Sequence, residues 1–335
     1  MDLLNDWQQR LPLCSRPFLA MARQHGCGEA ELIAQLERAQ RAGQVSRLGG
    51  VFGAGAGGSA LLCALVVPAA RLEAVAALVN AVPGVNHNYE REHHYNLWFV
   101  ITAPEPALIA SRLQALERDG GLTPLRLPMR RAYRINLGFD LRRGSAAALA
   151  PDAGEPAPRS ALAQVADADR PLAALLEEGL PLLPQPYAAW AQRLGWSEAR
   201  VLQTLQAWLD QGVLRRLGVI VRHHELGIAA NAMCVFDLPD DQVDAHGERL
   251  AAQAGVSLCY RRERAPGWPY NLFCMIHGRE RAQVQQTLAQ ARAAAGLEAA
   301  PQAQLFSRRR FKQCGARYFS AAPTEPAATR EASHV

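Results

Sequence analysis

The feature that most constrains this chain is an internal repeat. Leu11-Pro12-Leu13 returns as Leu180-Pro181-Leu182, and Pro17-Phe18 returns as Pro186-Tyr187. Gly26, Glu29 and Ala30 return as Gly195, Glu198 and Ala199, and Arg47-Leu48-Gly49 returns as Arg216-Leu217-Gly218, all at one offset of 169 residues. Farther along, Tyr89 matches Tyr260 at an offset of 171, and Tyr95-Asn96-Leu97 matches Tyr270-Asn271-Leu272 at 175. The growing offset places small insertions in loops of the second copy. The 335 residues therefore read as two homologous halves and a connection, not as two unlike domains. That connection, about 142–170, is rich in Ala and Pro and lacks aromatic residues, which predicts a flexible linker. The tail, 320–335, has the same character and is expected to be disordered.

Each half carries the same sequence of elements. Apolar residues at Leu32, Ile33, Leu36 and Ala39, and at Val201, Leu202, Leu205 and Trp208, have helical spacing. Gly43 and Gly212 stop those helices, and Ser197 is placed to cap the second. Two short helices followed by a strand pair beginning at Val45 and Val213 resemble a winged helix-turn-helix, over 1–58 and 171–227. A βαββαβ unit follows at 59–141 and 228–319. In copy one the pattern predicts strand 61–67, helix 69–81, strands 84–92 and 95–102, helix 105–118 and strand 122–134. In copy two it predicts strand 229–238, helix 240–253, strands 255–264 and 269–277, helix 279–295 and strand 298–307. The fold class is α+β: a tandem duplication, each half a winged helix-turn-helix plus a ferredoxin-like unit, paired about a pseudo-two-fold axis.

Composition narrows the function classes. With 49% apolar and 20% charged residues the chain can bury real cores. Its seven Cys are scattered, with no CxxC pair, which argues against a disulfide scaffold or a structural zinc site and fits a reducing cytoplasm. The N-terminus is acidic where a signal peptide would be basic, and the longest apolar run, Ala60 to Val67, is too short to span a bilayer. The expectation is a cytoplasmic protein with no membrane partner. A net charge of +5 is weak for a nucleic-acid binder, and the candidate recognition helices open with Gly28-Glu29-Ala30-Glu31 and Ser197-Glu198-Ala199-Arg200. No nucleic-acid partner is expected. Of 36 basic residues only Lys312 is Lys. Genome composition can produce that bias, and so can a carboxylate-rich ligand gripped by planar guanidinium groups. The run Gly53 to Gly58 contains GxGxxG, but the following SALLCALVVP reads as a strand, so no helix N-terminus is available for a pyrophosphate. A loop between strands is the expectation.

Three clusters could carry chemistry. The densest is Val85 to Ile101, VNHNYEREHHYNLWFVI, matched by Val256 to Ile276, VSLCYRRERAPGWPYNLFCMI. Strand periodicity can put His87, Tyr89 and Arg91 on one face, with His93 and His94 at the hairpin turn. No Cys or carboxylate set completes a zinc site. The second cluster is Arg222, His223 and His224, whose match in copy one is the Gly-rich loop, so the two copies are chemically unequal. The third is Arg130-Arg131 with Arg134, and Arg308-Arg309-Arg310 with Lys312, which are either solvated strands or anion clamps.

The motifs NYEREHHYNLWF, VRHHELGIAANAMCVF, WPYNLFCMIHGR and YRINLGF resemble the siroheme decarboxylases, whose fold is similar to that of the leucine-responsive/asparagine regulators. The likeness covers about 3–140 and 170–319, and many relatives are two separate subunits, here fused. The resemblance implies removal of carbon dioxide from two acetate side chains of siroheme, giving didecarboxysiroheme on the way to heme d1. It implies His87, His93, His223 and His224 as candidates for proton donor or for ligand of the substrate's iron, with Arg222 among the catalytic set. It also implies Arg91, Arg262, Arg131 and Arg310 as carboxylate-binding residues, with Tyr95, Asn96, Trp268, Tyr270 and Asn271 around the substrate. His93 or His224 is a possible ligand of the substrate's iron, and no dissociable cofactor or metal of the protein's own is expected. Partners implied are siroheme and other enzymes of heme d1 synthesis, with an internal pseudo-dimer and a homodimer left open. A leucine-responsive-type regulator and a non-catalytic tetrapyrrole carrier are the competing readings. The Gly53–Gly58 stretch departs from the Arg/His pattern, which puts a competent site at that loop in doubt.

Overall fold

The structure is a computed structural model and describes residues 2–53, 55–135, 164–221 and 230–319. Copy one begins with α1 (Asp2–Asp6), α2 (Pro17–Gln24), α3 (Glu29–Arg41) and β1 (Val45–Phe52). It continues with β2 (Ser59–Leu65), α4 (Leu72–Ala81), β3 (Val85–Arg91), β4 (Leu97–Ala103), α5 (Pro106–Gly120), β5 (Leu125–Leu127) and β6 (Met129–Ile135). Copy two repeats the order with α6 (Arg170–Glu178), α7 (Pro186–Leu194), α8 (Glu198–Asp210), β7 (Leu214–Val221) and β8 (Ala230–Phe236). It ends with α9 (Val243–Ala251), β9 (Val256–Arg262), β10 (Leu272–Gly278), α10 (Arg281–Ala295) and β11 (Gln302–Gln313). Among the described residues no helix is long and apolar enough to cross a membrane.

Local chemistry explains the helices. Leu32 and Leu36 of α3, and Val201, Leu205 and Trp208 of α8, form the buried stripe that their spacing predicts. The Ser197 hydroxyl accepts a hydrogen bond from the Arg200 amide at 3.2 Å, the N-cap expected of it. The helices of both copies share one core, in which Phe18 and Met21 join Tyr187, Trp190 and Trp208.

The wing differs from expectation. Instead of a strand pair within each copy, β1 and β7 pair with each other, antiparallel, with Gly49 opposite Gly218. The reason is topological: β2 and β8 are committed to the large sheet, so β1 and β7 are each left with an open edge that the other satisfies. The N-terminal segments cross over too. The Leu11 amide donates to the Leu217 carbonyl and the Leu180 amide to the Leu48 carbonyl, each at 2.7 Å.

The ferredoxin-like units form one nine-stranded sheet in the order β5-β2-β4-β3-β11-β8-β10-β9-β6. Helices α4 and α5 cover one face of copy one around Val79, Phe99 and Leu113, and α9 and α10 do the same in copy two around Leu250, Ile276 and Leu288. The opposite faces meet at Trp98, Leu127, Val235, Phe273 and Leu305. The last strand of each copy serves both units. Residues 302–306 of β11 pair with β8, and residues 307–313 pair with β3. In copy one the same division falls between β5, which pairs with β2, and β6, which pairs with β9. Pro128, which has no amide hydrogen, breaks the single strand expected over 122–134.

The shared strands tie the halves together more strongly than the linker does. When the halves are produced as separate chains cut in the linker, co-expression is expected to yield a 1:1 complex. Each half alone is expected to lack a cooperative melting transition. A single half that melts sharply as a monomer would contradict this arrangement.

Candidate functional site

The seam between β3 and β11 gathers the polar side chains. Alternation along β3 sends Asn88 and Glu90 toward α4: the Asn88 amide donates to the Ala76 carbonyl and to Asn80, while Glu90 accepts from Arg309. His87, Tyr89 and Arg91 therefore occupy the other face, as their spacing predicts. The register places Ser307 beside Arg91, Arg310 beside Tyr89, and Gln313 beside His87. Sequence reasoning singled out Arg310 but missed Ser307, Gln313 and Asn231, because only the register across copies brings them to β3.

Three side chains on this face act on one another. The His87 ring stacks on Tyr89 with centroids 6.1 Å apart and an interplanar angle of 19°. The Arg91 guanidinium lies 5.5 Å from the Tyr89 centroid, donates to the Leu305 carbonyl at 2.9 Å and reaches Asn231 Oδ1 at 3.4 Å. Burial, aided by the Arg91 charge, holds the His87 pKa down to about 4. Burial also raises the Tyr89 phenol and lowers Arg91 to about 10. At neutral pH His87 is thus a neutral imidazole, with about one ring in a thousand protonated. A neutral ring can accept a hydrogen bond or ligate a substrate's iron; it donates a proton as an acid only after a bound anion raises its pKa.

The hairpin turns form a second station. β3 ends at Arg91, and the His93 amide donates back to the Arg91 carbonyl at 3.0 Å, so His93 sits in the turn beyond the strand that carries His87. The His93 Nδ1 accepts a hydrogen bond from the Tyr95 amide at 3.1 Å. That bond puts the neutral ring's proton on Nε2, which makes Nε2 a donor and removes it as an iron ligand in this conformation. Burial and neighbouring His94 lower the His93 pKa. Trp268, delivered by the longer copy-two hairpin, is 1% exposed and packs edge-on against His93 at 5.4 Å. Trp98, Tyr95 and Tyr270 surround it at 5.0, 5.8 and 5.0 Å. Trp268 is therefore a core residue under the station. Asn96 and Asn271 are backbone latches: Asn96 holds both the amide and the carbonyl of Val67, and Asn271 holds both groups of Leu238.

The remaining candidates divide. Arg262 donates to the Leu127 carbonyl at 2.8 Å, the counterpart of the bond from Arg91 to Leu305. Arg131 points to the helix side instead, where it pairs with Glu248 at 2.7 Å and Asp244 at 3.4 Å. Its carboxylate partners belong to α9, so it clamps its own protein. Arg222, His223 and His224 lie outside the described residues. Among the described residues, no group of three or more His, Cys, Asp or Glu is placed to hold a metal ion.

Fold and site define a ligand-binding protein made of two regulator-type modules. Residues 55–134 and 225–312 match the AsnC-like ligand binding domain, and residues 1–45 and 169–215 match the siroheme decarboxylase NirDL-like HTH domain. The chain is 47% identical over 317 residues to a siroheme decarboxylase NirDL subunit of Paracoccus denitrificans, covering 94% of this chain and 96% of that one. It is 31% identical to a siroheme decarboxylase of Hydrogenobacter thermophilus, covering 93% and 92%. A crystal structure of the siroheme decarboxylase NirDL in co-complex with an iron-uroporphyrin III analogue superposes with a TM-score of 0.66 at 28% identity, covering 95% of this chain and 93% of that one. The chain belongs to the siroheme decarboxylase family.

The His87 pKa carries a stability consequence. An unfolded His takes up its proton near pH 6.5, whereas folded His87 does so near 4, so protons favour the unfolded chain in that window. This contribution is complete above about pH 6.5 and is lost as pH falls toward 4, amounting to about 3 kcal/mol at most. Copy two carries Leu258 at the equivalent position, which makes His87→Leu a compatible variant. Melting temperatures measured from pH 7 to 4 are expected to fall less for His87→Leu than for the parent protein; equal slopes would refute the assignment.

Proposed function

We propose that this chain decarboxylates siroheme, removing carbon dioxide from two acetate side chains to give didecarboxysiroheme for heme d1 synthesis. The observation that carries this reading is the whole-length likeness to siroheme decarboxylases in both kinds of module. The site residues fit the chemistry. Siroheme bears eight carboxylates, and an Arg face offers matched bidentate donors. In each step the bond between the acetate methylene and its carboxylate breaks, and carbon dioxide leaves. The electron pair left on the methylene takes a proton and becomes a methyl group, with no net redox change. Arg310 and Arg222 orient the carboxylate, and Arg91 fixes the strand that carries Arg310. The Nε2–H of His93 suits hydrogen bonding to a carboxylate, and His223 or His224 supplies the proton or meets the iron, which belongs to the substrate.

A regulator reading has less support. Glu29 and Glu31 open α3, with Glu29 paired to Arg16, so the first turn offers no Arg, Lys, Asn or Gln to read a base edge.

Anaerobic incubation of purified protein with siroheme, with the product identified by mass, tests the reaction. Loss of two carbon dioxides is expected; unchanged siroheme with a shifted absorption spectrum would indicate a carrier. Replacement of His93 by Ala, and separately of His223 and His224, is expected to slow carbon dioxide release by roughly 10²- to 10⁴-fold. Parental rates in both variants would sink the residue assignment.

A further inference from the structure

The two seams of the sheet have the same backbone and opposite chemistry. Against β3, β11 pairs Ser307 with Arg91, Arg310 with Tyr89 and Gln313 with His87. Against β9, β6 pairs Met129 with Arg262, Ala132 with Tyr260 and Ile135 with Leu258. Both registers slip at the same two places, between Ser307 and Arg309 and between Arg310 and Lys312 in one, and between Met129 and Arg131 and between Ala132 and Arg134 in the other. The seams are therefore equivalent position by position. The Tyr–Arg pair is kept in both, with Arg262 lying 5.3 Å from the Tyr260 centroid, and in both the Arg holds a carbonyl of the shared strand. That pair is structural. Five positions change from polar to apolar: His87 to Leu258, Ser307 to Met129, Arg310 to Ala132, Gln313 to Ile135, and Asn231 on β8 to Ala60 on β2.

The end of the chain has its own seat in the fold. After β11 the chain crosses the end of the copy-one sheet: the Cys314 amide donates to the Asn86 carbonyl at 2.8 Å, and Thr102 Oγ1 donates to the Arg317 carbonyl at 3.1 Å. The amides of Tyr318 and Phe319 then donate to the Glu177 carboxylate on α6, a side chain only 5% exposed. Phe319 packs on Phe52 with centroids 4.8 Å apart. These two aromatic residues lie on the Gly-rich loop. A Cβ on Gly57 would stand 2.6 Å from the Phe319 ring, and one on Gly58 would stand 2.8 Å from the Tyr318 Cβ. Both glycines have positive φ, at 154° and 69°. The GxGxxG run is thus the seat of the C-terminal segment.

We propose that each chain holds one tetrapyrrole site, on the β3–β11 seam, that Ser307, Gln313 and Asn231 position the ligand there beside His87 and Arg310, and that the β9–β6 seam is an apolar structural counterpart without a site. The proposal deepens the siroheme reading and rests on it. Asn231 accepts from the Ser307 hydroxyl at 2.8 Å and faces Arg91, so these polar residues form one connected rim. A ligand with carboxylates around its edge needs such donors, and Met129, Ala132 and Ile135 supply none.

Anaerobic titration of the full-length protein with siroheme, followed by absorbance, is expected to saturate at one equivalent per chain. Gln313→Ile and Arg310→Ala, which copy the residue types of the apolar seam, are expected to weaken binding by roughly tenfold or more each. Tyr260→Phe is expected to leave stoichiometry, affinity and turnover unchanged, and circular dichroism confirms that each variant is folded. Saturation at two equivalents, no binding at all, or parental affinity in folded Gln313→Ile and Arg310→Ala overturns the proposal. Binding of one equivalent without loss of carbon dioxide would remove the decarboxylase reading and leave the single site standing. Turnover with two bound equivalents would do the reverse.

Discussion

Two strands that each belong to two sheets at once hold this molecule in register. Strand β11 spends its first five residues on β8 and the rest on β3, and the pair β5 and β6 divides in the same way between β2 and β9. Arg91 and Arg262 lock the crossings by donating to Leu305 and Leu127. These are buried, charge-assisted hydrogen bonds to backbone, and leaving either carbonyl or guanidinium unpaired costs more than an exposed ion pair would. The candidate site depends on this arrangement, because His87 comes from one copy while Arg310 and Gln313 come from the other. Neither half alone contains it.

Much of the architecture was legible because it is written twice. The helix stripes, the Gly stops and the βαββαβ order recur in both halves, and each half reads like the other. The hairpin face was also legible, since the period of two on Val85–Arg91 needs no partner to be recognised. The pairing of β1 with β7 and the sharing of β11 were not, because edge pairing between copies depends on which strands are already occupied, and no local pattern records that. The consequence shows in the Arg runs. Arg131 and Arg310 looked alike in sequence, but the register aligns Arg131 with Arg309 and puts both on the helix side, paired with Asp244 and Glu248 or with Glu73 and Glu90. Only Arg310 stands beside Tyr89.

The hairpin insertion in copy two was visible as a change of offset, but its meaning was not. The family resemblance placed Trp268 around the substrate. Folded, it fills the space between the two hairpins and supports His93 and Tyr95 from beneath. Asn96 and Asn271 were likewise read as ligand contacts because they sit in the densest motif. A turn that must meet a neighbouring strand needs its orphan backbone groups satisfied, and an Asn side chain offers both a donor and an acceptor for that purpose. Dense polar motifs at hairpin ends serve backbone first and ligand second.

Fusion explains why the two seams could diverge. In a dimer of identical subunits every substitution appears at both seams, so polar residues gathered for one ligand would also load the second seam with buried polar groups. Two separately encoded copies remove that coupling. Here one polypeptide carries both copies. Once the copies are independent, the second seam can exchange His for Leu and Gln for Ile. It then keeps the Tyr–Arg tie and contributes cohesion, while the first seam retains the polar groups. The Arg-rich composition serves the fold in large part, since most of the Arg side chains described pair with carboxylates or carbonyls of the protein itself.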